Sequence, residues 1–119
     1  MPRTVSEHVA APRHTGALEG AHSVGEARGG DRLVVRIGLW REGARVVRAR
    51  FRASTCASLI AYADAACEAV EAGAPPAGLD EARLRALVAG VHPVHHDRDA
   101  LVAAALAGAG ASSGEGART

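Results

Sequence analysis

The sequence predicts an α+β fold, a small antiparallel β-sheet with helices packed on one face. Three observations carry this. Leu33, Val35, Ile37 and Leu39 alternate with Val34, Arg36, Gly38 and Trp40, the period of two of a half-buried strand. After the turn residues Arg41-Glu42-Gly43, Ala49, Phe51 and Ala53 alternate with Arg48, Arg50 and Arg52, so the two runs read as a hairpin with one apolar face. Beyond Cys56 the period lengthens, and Leu59, Ala63, Ala66 and Val70 fall on one face of a helix.

Taken in order, Thr4–Ala11 reads as a short helix stopped by Pro12. The Gly-, His- and Ala-rich stretch to Gly30 has room for an edge strand at Ala21–Ala27. Leu33–Leu39 and Arg45–Ala53 form the hairpin, and Ser54-Thr55-Cys56 makes a tight loop into a helix reaching about Ala72. Gly73, Pro75, Pro76 and Gly78 break that helix. Asp80 caps the next, through Ala89, with Leu84, Leu87 and Val88 facing inward and Gly90 ending it. Val91–Asp99 is an extended polar loop. Asp97 or Asp99 caps a last helix that buries Leu101, Val102, Ala105 and Leu106. Composition then marks a tail from Gly108 on, which gives a folded domain over 1–109 and a disordered Gly/Ser/Ala tail over 110–119. The expected core is Leu33, Val35, Ile37, Val47, Phe51, Leu59, Leu84, Leu87, Leu101 and Leu106.

With 119 residues this is one small domain. Its core is thin, because alanine dominates the apolar 48% and there is one Phe, one Trp and one Tyr. A net charge of +1 supplies no general field for nucleic acid or membrane. No apolar run is long enough to span a bilayer, and MPRTVSEHVAAPRH lacks the apolar block of a secretory signal, so the expected compartment is the cytoplasm. Arg36, Arg45, Arg48, Arg50 and Arg52 form the outward face of the hairpin, which reads either as a site for an anionic partner or nucleic acid or, most simply, as a solvated face that resists edge pairing. An enzyme is not expected. A Cys56–His95 nucleophile pair has no orienting third group beside it in the sequence.

Two places carry chemistry. Cys56 stands at or just before a helix N-terminus, where unpaired N–H groups and the helix dipole favour a thiolate. Buried structural cysteine is the bland alternative. Cys67, eleven positions on, lies roughly 16 Å away at 1.5 Å rise per residue, too far to bridge to Cys56 or share its metal. It reads as structural, beside Ile60 and Ala63. The second place is the loop holding His92, His95, His96, Asp97 and Asp99. All are metal-ligand types, but their spacing matches no zinc-finger or HExxH pattern.

The order of these strings resembles the NifU/IscU-type iron–sulfur cluster scaffold family. Glu7-His8-Val9-Ala10-Ala11-Pro12-Arg13-His14-Thr15-Gly16 is similar to the family's opening helix and His-aromatic-x-x-Pro-Arg-Asn-x-Gly string, with Val9 and His14 departing from it. Gly29-Gly30-Asp31 before the first long strand resembles its Cys-Gly-Asp. Ala49–Ala61 resembles its strand–Gly-Cys–helix segment, and Pro93-Val94 with the helix after it fits the final loop and helix. The resemblance covers about Val5 to Ala109 and implies a SufE/IscU-like fold. It also implies a role in iron–sulfur cluster assembly and a partner that is a cysteine desulfurase or another assembly protein, and it leaves a homo-oligomer open. It lays the family's three cysteines on Gly29, Cys56 and Arg98, and its aspartate on Asp31. Only one cysteine is kept. A guanidinium cannot ligate a metal, and iron–sulfur clusters are ordinarily held by thiolates. The family's chaperone-binding Leu-Pro-Pro-Val-Lys string is reduced to the Pro and Val of Val91-His92-Pro93-Val94-His95.

The resemblance therefore implies an iron–sulfur cluster as cofactor, or a single zinc or iron ion. Cys56 and Asp31 would hold it, joined by His95, His96 or Asp97, with Cys56 as metal anchor or persulfide acceptor. The expectation is a carrier or accessory. The other reading is a metal-free regulatory or partner-binding module on the same fold.

Overall fold

The computed structural model describes residues 2–30, 32–95 and 97–118, with only the backbone given for Val94 and residues 111–118. A three-stranded antiparallel sheet runs β2 (Ser23–Gly29), β3 (Leu33–Glu42), β4 (Arg45–Ala53), in that spatial order. Helices α2 (Ala57–Glu71) and α4 (Arg98–Arg118) pack on one face of it. Helix α1 (Val5–Ala10) lies against α2, and α3 (Glu81–Leu87) touches both α2 and α4. A short parallel pair, β1 (Arg3–Thr4) with β5 (Val88–Ala89), ties the N-terminal segment to the end of α3. This is the α+β architecture that the alternating patterns predict.

The inner face of the sheet is made by Val35, Ile37, Leu39, Ala49 and Phe51, all essentially inaccessible, over Leu59, Ala63, Ala66 and Val70 of α2 and Val102, Ala105 and Leu106 of α4. Gly25 lets α4 come this close: a Cβ there would lie 1.8 Å from the Ala105 carbonyl oxygen. Three residues of the expected core behave differently. Leu87 and Leu101 are half-buried at the rim, and Val47 is exposed while Val46 takes the inward position. The register between β3 and β4 shifts between Trp40 and Arg41, so the extra residue reverses the alternation at this end of the strand. The hairpin closes through Gly43, at φ 63°, the positive angle a tight two-residue turn needs.

Element boundaries moved for local reasons. The edge strand sits at Ser23–Gly29, two residues beyond its expected place, because its register with Leu33–Leu39 fixes it there. Helix α3 stops at Leu87, because Val88 and Ala89 turn extended to pair with β1. Asp80 is its N-cap, accepting from the Arg83 N–H at 2.9 Å. At the other end of the chain α4 runs to Arg118.

Candidate functional site

Ser54 builds the loop that presents Cys56. Its Oγ accepts from the Val34 N–H at 2.8 Å and donates to the Arg32 carbonyl at 3.2 Å, and its own N–H bonds the Val34 carbonyl. The loop is thus stitched to the start of β3, beside the turn that carries Arg32. Arg32 has φ 63°, a left-handed conformation uncommon for a residue with a side chain, so that turn is strained. Cys56 is the N-cap of α2, and its side chain makes no capping bond, which leaves the half-buried sulfur to face its surroundings.

What faces it is Arg98, the first residue of α4. The guanidinium lies beside the Cys56 sulfur, and its Nη1 donates to Asp97 Oδ1 at 2.7 Å; these two neighbours together raise the arginine's pKa. Arg98 Nε is buried and has no acceptor among the described residues. Leu101, one turn along α4, lies over Gly29: a Cβ on Gly29 would fall 2.9 Å from its Cδ1. Gly29, Cys56 and Arg98 therefore gather at one end of the sheet. On the other side of Cys56, the buried Ser58 hydroxyl meets His95 Nδ1 at 3.2 Å, and the His95 ring lies 6.2 Å from that of His92.

Of the expected site residues, Cys56, Asp97 and His95 all border this end of the molecule, Asp97 through Arg98 and His95 through Ser58. Asp31 and His96 lie outside the described residues. Among the described residues, no three His, Cys, Asp or Glu side chains are grouped so as to hold a metal ion. Asp99, a candidate cap or ligand in the sequence, is instead fully buried in the first turn of α4 and takes the Arg85 Nε–H at 2.7 Å.

A second polar cluster escaped sequence reasoning. Asp64, in mid-α2 and inaccessible to solvent, accepts from the backbone N–H groups of Arg13 and His14 at 2.9 Å each. Its other oxygen meets His8 Nδ1 at 2.8 Å, with Arg3 Nη1 at 3.5 Å. One helical face lower, Glu71 meets His14 Nε2 at 3.1 Å and caps the open edge of β4 through the Ala49 N–H and Arg50, at 2.8 and 2.7 Å. The one signal in the sequence was a lone acid set among alanines (Ala61, Ala63, Ala65, Ala66) beside the buried stripe.

In sequence comparison, the profile of the NifU-like N-terminal domain matches residues 2–111. The chain belongs to that family. A solved structure described only as a hypothetical protein superposes on this NifU-like domain with a TM-score of 0.50 at 15% identity, covering 96% of this chain and 90% of the other; that likeness speaks for the fold alone. No curated protein matches the sequence. The family ties this NifU-like domain to iron–sulfur cluster assembly. No helix among the described residues is long and apolar enough to cross a membrane.

Proposed function

We propose that this NifU-like domain serves iron–sulfur cluster assembly as an accessory that accepts sulfur at Cys56, and that it is neither a cluster scaffold nor an enzyme. One observation carries the reading. The residue standing where the family has its third cysteine is Arg98, and its guanidinium lies beside the Cys56 sulfur. A fixed cation there supports an anionic sulfur and opposes a metal cation. With Gly29 in place of another cysteine, the donor set does not fit a cluster, so no step is routed through one.

The sulfur chemistry needs only the thiolate. Cys56 attacks the terminal sulfur of a cysteine persulfide on a partner desulfurase; the new S–S bond forms as the partner's S–S bond breaks. The partner's cysteine leaves as a thiolate, and Cys56 retains the extra sulfur as a persulfide. The Arg98 guanidinium lies beside that sulfur, and Cys56 stands at the N-terminus of α2, where the helix dipole favours negative charge. Arg98 Nε, buried and without an acceptor among the described residues, is a further donor on the same side chain. The same guanidinium also suits a metal-free partner-binding module, so the two readings need separating.

The test uses two arms. In the first, the purified protein is incubated with a desulfurase and cysteine and weighed by mass spectrometry. One added sulfur is expected on wild type and none on Cys56→Ser; an unmodified wild type leaves the metal-free module. In the second, anaerobic reconstitution with iron and sulfide is followed by visible absorption and iron counting. No stable cluster is expected, and weak uptake of one divalent ion is the most the donor set allows. A stoichiometric cluster on the monomer would restore the scaffold reading.

A further inference from the structure

The outer face of the sheet, away from α2 and α4, holds an unbalanced set of arginines. Arg36 and Arg52 are direct partners across β3 and β4. Side chains so placed have Cβ atoms about 5 Å apart, and like charges there destabilise a sheet. Glu26 offers Arg36 an oxygen at 3.3 Å, but the same carboxylate holds Arg28 at 2.7 Å, so one acid serves two guanidiniums. Arg52 is exposed, and no acid among the described residues pairs with it. Beside the pair, the segment that crosses this face packs Leu18 and Ala21 on Gly38, where a Cβ would sit 3.2 and 3.0 Å from them. Between segment and arginines runs a groove of about 530 Å³, walled by Ala17, Leu18 and Val24, with Glu19 on its lip.

We propose that this groove docks an extended acidic segment of a partner protein, its carboxylates on Arg36 and Arg52 and an apolar side chain against Leu18 and Val24. In an extended chain every second side chain points the same way, about 7 Å apart, so acidic and apolar residues in alternation present one kind to each wall. The charge of the pair calls for an anion, and the apolar wall calls for a side chain that a phosphate backbone lacks. Trp40, the one aromatic on this face, is already covered by Arg48, whose guanidinium carbon lies 4.9 Å from the ring centroid. No stacking platform is left for bases. Arg52 precedes Cys56 by four residues on the same strand and loop, so a docked partner lies close to the thiol. That last consequence rests on the sulfur-accepting reading, whereas the docking itself does not.

Fluorescence anisotropy with a fluorescein-labelled peptide of alternating glutamate and leucine, at low salt, tests the proposal. Wild type and Cys56→Ser are expected to bind it equally, whatever the sulfur-transfer assay returns. Arg52→Glu replaces an attraction by a repulsion and should weaken binding about tenfold, and Arg52→Gln by less. Glu19→Gln should tighten it, an effect that a merely loosened sheet would not produce. Arg45→Glu, at the far end of β4, should leave it unchanged. The proposal is overturned if wild type does not bind, or if Arg52→Glu and Arg52→Gln bind as wild type does. It is equally overturned if a single-stranded oligonucleotide of equal charge binds as tightly, or if the face proves to hold a second copy of the chain, seen as self-association that Arg52→Glu abolishes.

Discussion

Cys56 and Cys67 share α2 and meet opposite surroundings. Cys56 is half-buried at the helix start against a guanidinium; Cys67 is sealed in the core, where burial, with Asp64 and Glu71 adding to it, pushes its thiol far above the ordinary range. A thiol held protonated is inert to alkylation. Iodoacetamide should therefore label Cys56 alone in the folded protein and both cysteines after denaturation, read by mass spectrometry. Cys67→Ala removes one buried sulfur and is expected to cost about 1 kcal/mol in urea unfolding. Sulfur acceptance at Cys56 should survive it. Loss of that acceptance in Cys67→Ala, with Cys56 intact, would move the chemistry to the wrong thiol.

At the scale of elements, the N-terminal strap of residues 3–16 is held by two carboxylates on one helix. Asp64→Asn keeps the shape but leaves His8, Arg3 and two backbone N–H groups facing a weaker acceptor, and the expected cost is about 3 kcal/mol. Limited proteolysis should then cut within the strap first; cleavage elsewhere would show that the strap is held by other means. Glu71 adds a pH dependence. Burial raises its carboxyl, but the Ala49 N–H, the Arg50 guanidinium and His14 outweigh burial and leave it below its ordinary 4.5. Its contribution is thus complete above about pH 4.5 and fades as pH falls through the lower folded value. Wild type and Glu71→Gln should differ most in unfolding free energy at neutral pH and converge in acid. The sheet was legible in the sequence because one buried face imposes strict alternation. Val47 was not, because the slip between Trp40 and Arg41 depends on how two strands meet. Asp64 was hidden for a related reason: its partner His8 is 56 residues away, beyond any local pattern.

Across the whole molecule, Gly29, Cys56 and Arg98 converge although they come from three distant segments, and only the order of motifs made that readable. The pairing of Arg98 with Cys56 was not, since nothing in a sequence says which way a guanidinium turns. If the geometry is the family's and only the ligands are lost, restoring them should restore the chemistry. Gly29→Cys combined with Arg98→Cys is expected to hold a stable cluster on reconstitution, counted as iron per chain, and the displaced neighbour at Gly29 is the flexible end of Leu101. Gly25→Ala is the contrasting case, because its Cβ would meet the backbone of α4; a cost of about 3 kcal/mol and loss of the Arg98 contact are expected, measured by urea unfolding and by Cys56 alkylation rate. The strap has one more implication, for a chain emerging from the ribosome. Residues 3–16 appear before any of their anchors, and neither Asp64 nor Glu71 exists until α2 has been made. Such distant closures are slow to form. Until α2 has emerged, the histidines that will lie buried against it are in water, and a segment made early is among the last to be folded in.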